Sequence, residues 1–166
     1  MNKPIIDSAE FRRILGHLPT GVVAVTSVGD DEPVGMACNS FISVSLDPAL
    51  VGFCAATSSS TWPIIRNAGR FCVNVMAEDH ADLTRNLSRK GIDRFEGVDW
   101  VPRPSGPGLE GAVAWIDCTL WHEYEAGDHT IVLGDVHAIE AASEVSPLVF
   151  YKGSYGSFAE SASRLR

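Results

Sequence analysis

The chain has 166 residues, which fits one domain, and its 45% apolar and 20% charged residues are ordinary for a globular protein. A formal net charge of −8 argues against general nucleic-acid binding, which needs Lys and Arg to neutralise phosphates, and disfavours docking on anionic membranes. No apolar run approaches the roughly 20 residues that span a bilayer, and the first ten residues have no signal-peptide core. We expect a single cytoplasmic domain over residues 1–166, with its core at about 8–158 and no membrane or nucleic-acid partner.

Four cysteines, Cys38, Cys54, Cys72 and Cys118, lie far apart in apolar stretches and form no Cys-x-x-Cys pair. This pattern favours buried free thiols in a reducing compartment. Paired ligand spacing is missing, so no metal site is expected.

The first half of the chain predicts one amphipathic helix followed by strands and turns. Asp7 and Glu10 resemble a capping box, apolar residues with helical spacing follow, and Pro19 and Gly21 end the helix. Strands are predicted over 22–28, 34–45, 50–56 and 71–76, and short helices over 63–69 and 79–88.

The second half predicts a long hairpin after a loop. Residues 89–111 are rich in Gly and Pro and are predicted to be loop-like. Strands follow over 112–124, 130–141 and 148–151. Six or seven strands joined by hairpins, with three short helices, predict a mainly β antiparallel barrel rather than a doubly wound sheet. A Gly-x-Gly-x-x-Gly run after the first strand is missing, which makes a Rossmann dinucleotide site unlikely.

Two segments are candidates for ligand contact. The small residues between Gly35 and Phe41 would let a flat ligand lie against the backbone, or would simply allow close strand packing. The hydroxyl run Ser58–Ser60 precedes a helix and could hold phosphate; the alternative is that Ser60 or Thr61 caps that helix and the rest is solvated. Positive charge for such a site could come from Arg66, Arg89 and Lys90.

His129 lies beside Asp128 at the predicted hairpin turn. The pair could contact a ligand or tune proton transfer, although both are common turn residues.

Tyr151, Tyr155 and Phe158 make the tail aromatic, either to cover a ring or to dock the tail on the core. No nucleophile elbow, His-Glu-x-x-His motif or glycosidase pair is present. The residues alone therefore predict an antiparallel barrel, and they leave phosphate binding and helix capping as two open interpretations of the hydroxyl run.

Read together, several short segments resemble the short-chain flavin reductases, the reductase components of two-component flavin-dependent monooxygenases. They run in the family's order and cover nearly the whole chain: Phe11-Arg12, Thr20 to Val22, Gly35 to Phe41, Ser43 to Pro48, Phe71 to Val75, Asp93 to Phe95, Gly127 to Thr130, Gly134 to Val136, Pro147-Leu148, Tyr151 to Gly153 and Tyr155. The ordered set is specific, whereas each segment alone is weak.

The resemblance implies a Greek-key, FMN-binding split β-barrel with a few short flanking helices, usually a homodimer. It implies hydride transfer from NADH, or NADPH, to FMN or FAD, with reduced flavin supplied to a partner monooxygenase. The protein would position the two cofactors and need no catalytic acid or base. A non-catalytic flavin- or haem-binding split barrel and a relative of pyridoxamine-phosphate oxidase are the alternatives, and the Gly-Asp-His turn favours the reductase.

The resemblance also assigns site residues. The flavin ring would lie along Ala37, Cys38, Asn39, Ser40, Phe41, Ser43 and Val44, and its phosphate side would face Ser58, Ser59, Ser60, Ser88, Arg89 and Lys90. The nicotinamide would be bound by Asp128, His129 and Tyr155. Two departures from the family pattern matter: Cys38 stands where Thr is common, and 57–62 lies where the family varies most, which leaves FMN and FAD both open.

Overall fold

The computed structural model describes residues 6–142 and 145–159, so the outermost residues of the predicted domain lie outside the described part. The helices are α1 (Ser8–Leu15), α2 (Trp62–Ala68) and α3 (Ala81–Leu87), and a 3₁₀ turn spans Glu78–His80. The strands are β1 (Thr20–Gly21), β2 (Val23–Gly29), β3 (Glu32–Cys38), β4 (Ile42–Leu46), β5 (Ala49–Ala56), β6 (Arg70–Val75), β7 (Trp100–Arg103), β8 (Gly106–Leu109), β9 (Ala114–Ala126), β10 (His129–Ala141), β11 (Leu148–Tyr151) and β12 (Ser154–Ser157).

One antiparallel sheet of seven strands, in the order β3-β2-β6-β9-β10-β5-β4, forms the body of the protein. Its two edge strands are joined by residues 39–41 alone. Six strand spacings of about 4.8 Å would separate these edges by about 29 Å in a flat sheet, whereas four Cα steps reach at most about 15 Å. The sheet must therefore curl until its edges nearly meet, which makes an open barrel with a split between β3 and β4.

The mainly β, antiparallel prediction is confirmed, but the strand predicted over 34–45 is wrong. It is two strands, β3 and β4, that pair at opposite edges of the sheet: β3 with β2, and β4 with β5. Periodicity could not reveal the break, because residues on both sides of it have strand-like composition. Asp47 and Pro48, joined by a cis peptide bond, form the turn into β5.

The structure contains two further strand pairs that the sequence analysis did not predict. The segment 89–111, predicted as loop, contains the hairpin β7–β8, whose strands carry the Pro and Gly residues that indicated a loop. The tail adds β12, which pairs with β11, and β11 also pairs with β1. The predicted element types elsewhere agree with the structure.

The first helix forms at the predicted place but ends at Leu15, before the predicted end at Pro19, and it does not bury its apolar side. Asp7 Oδ2 accepts a hydrogen bond from Glu10 N (3.1 Å), which confirms the N-cap. Phe11, Ile14 and Leu15 remain 49–52% exposed. The helical spacing is real, yet within the described chain nothing covers that face.

The core lies inside the curled sheet and under α2. Phe53, Trp62 and Phe71 pack edge to face, with ring centroids 5.4 to 6.4 Å apart. Gly69 ends α2 in the left-handed conformation (φ 69°), as its position after the predicted helix indicated. A second cluster of buried apolar residues, which includes Met76, Leu87 and Leu148, packs beneath α3 and β11.

Buried polar groups of the barrel are bonded to one another. Asn74 Nδ2 donates to Thr26 Oγ1 (2.9 Å) and Asn74 Oδ1 accepts from Leu109 N (2.7 Å), which ties β6 to β2 and β8. Asp117, fully buried, accepts from Ser105 N and from the Arg103 guanidinium, with an ion-pair distance of 3.0 Å. Both groups hold the β7–β8 hairpin against the barrel.

All four cysteines are free, as predicted, and burial raises the pKa of Cys72 and of Cys118 to about 12. Cys54 is only half-buried. No helix within 6–142 and 145–159 is long and apolar enough to cross a membrane.

Candidate functional site

A cleft of about 340 Å³ opens at the split between β3 and β4. It is lined by Met36, Ala37, Cys38, Asn39, Ser40, Cys54, Ala56, Ser58, Ser59, Ser60, Leu87, Ser88, Lys90, Arg94 and His129. A second cleft of about 290 Å³ shares Ala37, Cys38, Asn39 and Ser88 with it and adds Tyr155. The structure thus brings together residues predicted from four separate segments of the chain.

The wall of the cleft is the short connection that leaves β3. Ser40 Oγ accepts from Cys54 N (2.8 Å) and lies 3.0 Å from Cys38 Sγ, so the two sides of the split are joined there. Burial raises the pKa of the Cys38 thiol, which therefore stays neutral. A ligand on this wall meets small side chains and a neutral thiol.

The hydroxyl run lies at one end of the cleft, and its members differ. Ser59 Oγ accepts hydrogen bonds from Trp62 N (3.0 Å) and Thr61 N (3.3 Å), so Ser59 caps α2. The expected cap at Ser60 or Thr61 is wrong, because Thr61 Oγ1 is occupied by Arg94. Ser58 and Ser60 are exposed and line the cleft with their hydroxyls uncommitted within the described chain.

Two cations lie beside this run. Lys90 Nζ is 3.4 Å from Ser58 O, and the Arg94 guanidinium bonds Thr61 Oγ1 and Gly35 O. Arg94 was missed as a candidate, although it belongs to a segment that carries the family resemblance. In the sequence, the signal that could have identified Arg94 is a charged residue with small and turn residues around it, at 91–97.

The β9–β10 turn places His129 in the cleft next to the strand that leads into the hydroxyl run, since His129 pairs with Ala56 of β5. His129 Nδ1 lies 2.7 Å from Asp128 Oδ1, and this hydrogen bond holds the pKa of Asp128 below its usual 3.8. Asp128 O accepts from both Thr57 N and Thr57 Oγ1 at 3.0 Å, which ties the turn to the segment that begins the hydroxyl run. His129 lines the cleft, whereas exposed Asp128 does not and orients the imidazole instead.

Tyr155 lies in the second cleft rather than the first. Its ring packs against Phe150 at 5.5 Å and beneath the Arg85 guanidinium at 5.2 Å. Ser88 lines both clefts, and its Oγ donates to Thr84 O (2.9 Å). Tyr151 and Phe158 are exposed, so neither docks the tail on the core.

Four of the residues predicted to bind the flavin line neither cleft. Phe41 packs on the core, and Ser43 and Val44 lie on β4, beyond the split. Arg89 is exposed, and its carbonyl oxygen accepts from Arg94 Nε (2.6 Å). Their predicted contacts with a flavin therefore have no support from the geometry of the two clefts.

The lining residues fit a flavin nucleotide in their donor chemistry. Small residues and backbone groups of 37–40 form a wall suited to a flat ring, while free hydroxyls and cations gather at one end, where a phosphate would lie. The second cleft extends this space toward Tyr155.

Comparison with known proteins gives one consistent result. The model of the family described as "flavin reductase like domain" matches residues 15–159. A flavin reductase of Pseudomonas putida is 47% identical over 93% of this chain and 92% of its own length. The reductase subunit of a flavin-dependent monooxygenase from Mycobacterium tuberculosis is 45% identical over 90% of this chain and 82% of its own.

Solved structures agree. Nitrilotriacetate monooxygenase component B from Mycobacterium thermoresistibile superposes with a TM-score of 0.89 at 39% identity, covering 95% of this chain and 92% of that one. An NADH:FAD oxidoreductase of Streptomyces globisporus, solved with NAD and FAD fragments, gives 0.89 at 35% identity over 97% and 100% of the two chains. The resemblance inferred from short segments is confirmed by matches along nearly the whole chain, and the protein belongs to the flavin reductase-like family.

Proposed function

We propose that this protein transfers hydride from NADH to a flavin held in the cleft between β3 and β4. The observation that carries the proposal is the cleft itself: a wall of small residues, an end rich in hydroxyls and cations, and a histidine in its lining. Relatives named flavin reductase, FMN reductase (NADH) and NADH:FAD oxidoreductase support this activity.

The residues of the cleft act by positioning. Backbone and small side chains of 37–40 would contact the edge and face of the flavin ring, while Ser58, Ser60 and Lys90 would hold its phosphate side. The bound flavin supplies the redox chemistry, since it accepts hydride from the nicotinamide. Binding both ring systems in one cleft replaces a bimolecular encounter with a fixed geometry, and this contribution needs no proton-transfer residue.

His129 is proposed to hold the nicotinamide. Its Nδ1 is bonded to the Asp128 carboxylate, which favours the tautomer with the proton on Nδ1 and leaves Nε2 to accept a hydrogen bond. A carboxamide N–H is a suitable donor for that atom. Tyr155, in the adjoining cleft, would bound the same ligand on the tail side.

Reduced flavin is proposed to pass to a separate monooxygenase. The relatives that suggest this are named as reductase subunits of flavin-dependent monooxygenases and as the reductase component of a trigonelline monooxygenase.

A homodimer is proposed, with its interface next to the cleft. Ile42 pairs with Gly52, and Ile131 pairs with Cys54 and Tyr124, so these side chains share one face of the sheet with cleft-lining Cys54. Ile42, Tyr124 and Ile131 are 59%, 53% and 39% exposed. A second copy would cover this face by two-fold symmetry. Light scattering should give twice the chain mass, and Ile42→Lys should give a monomer.

The cytoplasm is the proposed compartment, because Cys38, Cys54, Cys72 and Cys118 are all free thiols, as reducing conditions require.

The test of the activity is NADH oxidation followed by absorbance at 340 nm (the nicotinamide band), with and without added FMN or FAD. A large stimulation by flavin is expected, and parallel runs with NADPH and with each flavin rank the substrates. Protein that binds flavin but consumes neither NADH nor NADPH would instead be a flavin-binding module.

A further inference from the structure

The Arg94 guanidinium is fixed by three hydrogen bonds to neutral acceptors of the protein. It is half-buried, and its Nε donates to Arg89 O (2.6 Å) while its Nη1 donates to Gly35 O (3.0 Å) and Thr61 Oγ1 (2.5 Å). These acceptors come from three segments that surround the phosphate end of the cleft. All of them are neutral, so they fix the orientation of the side chain but leave its charge without a counterion.

No carboxylate of the described residues lies within 4.0 Å of Arg94, which distinguishes it from Arg13, Arg85 and Arg103. Its neighbour Asp93 directs Oδ1 to Phe95 N (2.9 Å) instead. Desolvation lowers the pKa of Arg94, which means that burial of this charge has a cost. An anionic ligand would offset that cost.

The two N–H groups of Nη2 have no partner within the described chain, and the side chain lines the cleft beside Ser58, Ser60 and Lys90. Nε and both N–H groups of Nη1 are bonded to the protein, so Nη2 is the part of the guanidinium that remains to donate a charge-assisted hydrogen bond to a phosphate. Lys90 is a flexible point charge, whereas Arg94 is fixed in place by its three hydrogen bonds.

We propose that Arg94 is the specificity-determining residue by which this protein selects phosphorylated flavins over riboflavin, through a hydrogen bond from its unpartnered Nη2 to the phosphate nearest the ribityl chain. This inference rests on the proposed function, because it assumes that the cleft holds a flavin. It adds a residue and a selection rule that the family resemblance did not assign.

The experiment measures dissociation constants of FMN, FAD and riboflavin by quenching of flavin fluorescence, for the full chain and three variants. Arg94→Gln removes the charge and keeps amide donors, Arg94→Lys keeps the charge and loses the planar fork, and Arg70→Gln is a matched control on an exposed Arg. Circular dichroism and melting temperature report folding for each.

For Arg94→Gln we expect the preference for FMN over riboflavin to fall by about 10-fold or more, since a hydrogen bond to a charged group corresponds to about 10- to 150-fold in affinity. Riboflavin affinity should stay within about twofold, a result that a merely structural role would not produce. Arg94→Lys should lose at least about threefold of the preference, and Arg70→Gln none.

Equal weakening of FMN and riboflavin would overturn the proposal, because Arg94 would then only shape the cleft. An unchanged preference in Arg94→Gln would overturn it as well. If Arg94→Gln fails to fold, Arg94→Lys decides, and a wild-type preference in that variant counts against the proposal. Failure of the proposed function is separate: wild-type protein would bind FMN selectively yet leave NADH unoxidised.

Discussion

The interior of the barrel and the split between β3 and β4 differ in whether their polar side chains are hydrogen-bonded within the protein. Inside, Asn74 and Asp117 are fully buried, and each is bonded to two or more partners. At the split, Ser58, Ser60 and Arg94 keep donors that have no partner within the described chain. Because Ser58 and Ser60 are exposed and Arg94 is half-buried, their donors can exchange water for a ligand, whereas the bonded groups of the interior cannot.

The comparison predicts that interior substitutions reduce stability and leave binding per folded molecule intact. Substitutions of the unpartnered donors at the split should weaken binding and leave stability intact. The predictions below test this division, from the largest expected effect to the smallest.

Asp117→Ala should lower the free energy of unfolding by about 3–5 kcal/mol, because it leaves the Arg103 guanidinium partly buried without its inner counterion. The matched control is Glu140→Ala, which removes the outer, 60% exposed carboxylate of the same arginine and should cost less than about 1 kcal/mol. Urea denaturation measures both. Equal costs for the two variants would show that burial of Asp117 contributes nothing.

Ser58→Ala combined with Ser60→Ala should weaken FMN binding about tenfold or more, since each lost bond to phosphate is worth about 1.5–3 kcal/mol and such terms are not additive. The melting temperature should hardly move, because neither hydroxyl is bonded within the described chain. Fluorescence quenching measures the affinity. Unchanged affinity in the folded variant would assign these hydroxyls to solvent.

His129→Ala should raise the KM for NADH about 3- to 10-fold, the value of one neutral hydrogen bond, and leave flavin affinity nearly intact. If the imidazole orients the ring for transfer rather than binding it, kcat should fall instead. Steady-state kinetics in NADH at saturating flavin separates these cases. Wild-type kcat and KM in a folded variant would remove His129 from the site.

Ser59→Ala should lower stability by about 1 kcal/mol, because Ser59 Oγ caps α2 through Trp62 N and Thr61 N. Its effect on flavin affinity should be smaller than that of the Ser58 and Ser60 pair. Thermal denaturation and FMN titration of the three single variants make the comparison. The prediction fails if Ser59 is the serine whose loss weakens FMN most.

Asp128→Asn should have the smallest effect, and that effect should depend on pH. The His129 contact lowers the pKa of Asp128, so the folded state gains stability above the ordinary value of 3.8 and loses it as pH falls through the lowered pKa. The melting temperature of wild type should therefore exceed that of Asp128→Asn above pH 3.8, and this margin should shrink as the pH falls below 3.8. A margin that does not shrink on acidification below pH 3.8 would contradict the assigned cause.

The sequence by itself determined most of the strands, the antiparallel hairpins β2–β3 and β9–β10, and the order of the family segments. Local signals suffice there: β-branched runs, the Gly-Asp-His turn, and a helix between Pro63 and Gly69 are properties of neighbouring residues. Free cysteines followed from spacing for the same reason. The sequence also identified segments 37–40 and 58–60 and residue His129 as candidates for ligand contact.

Only the tertiary structure decided where the chain breaks between β3 and β4, and with it the place of the cleft. Residues 34–45 look like one strand locally, and the break exists because the two halves find different partners at opposite edges of a curled sheet. The same long-range pairing selected Ser59 rather than Ser60 or Thr61 as the cap, since Arg94, 33 residues away, takes the Thr61 hydroxyl. Contacts between distant segments produce no periodic pattern in the sequence. Because the cleft is built almost entirely from such contacts, its position could not be predicted from the sequence.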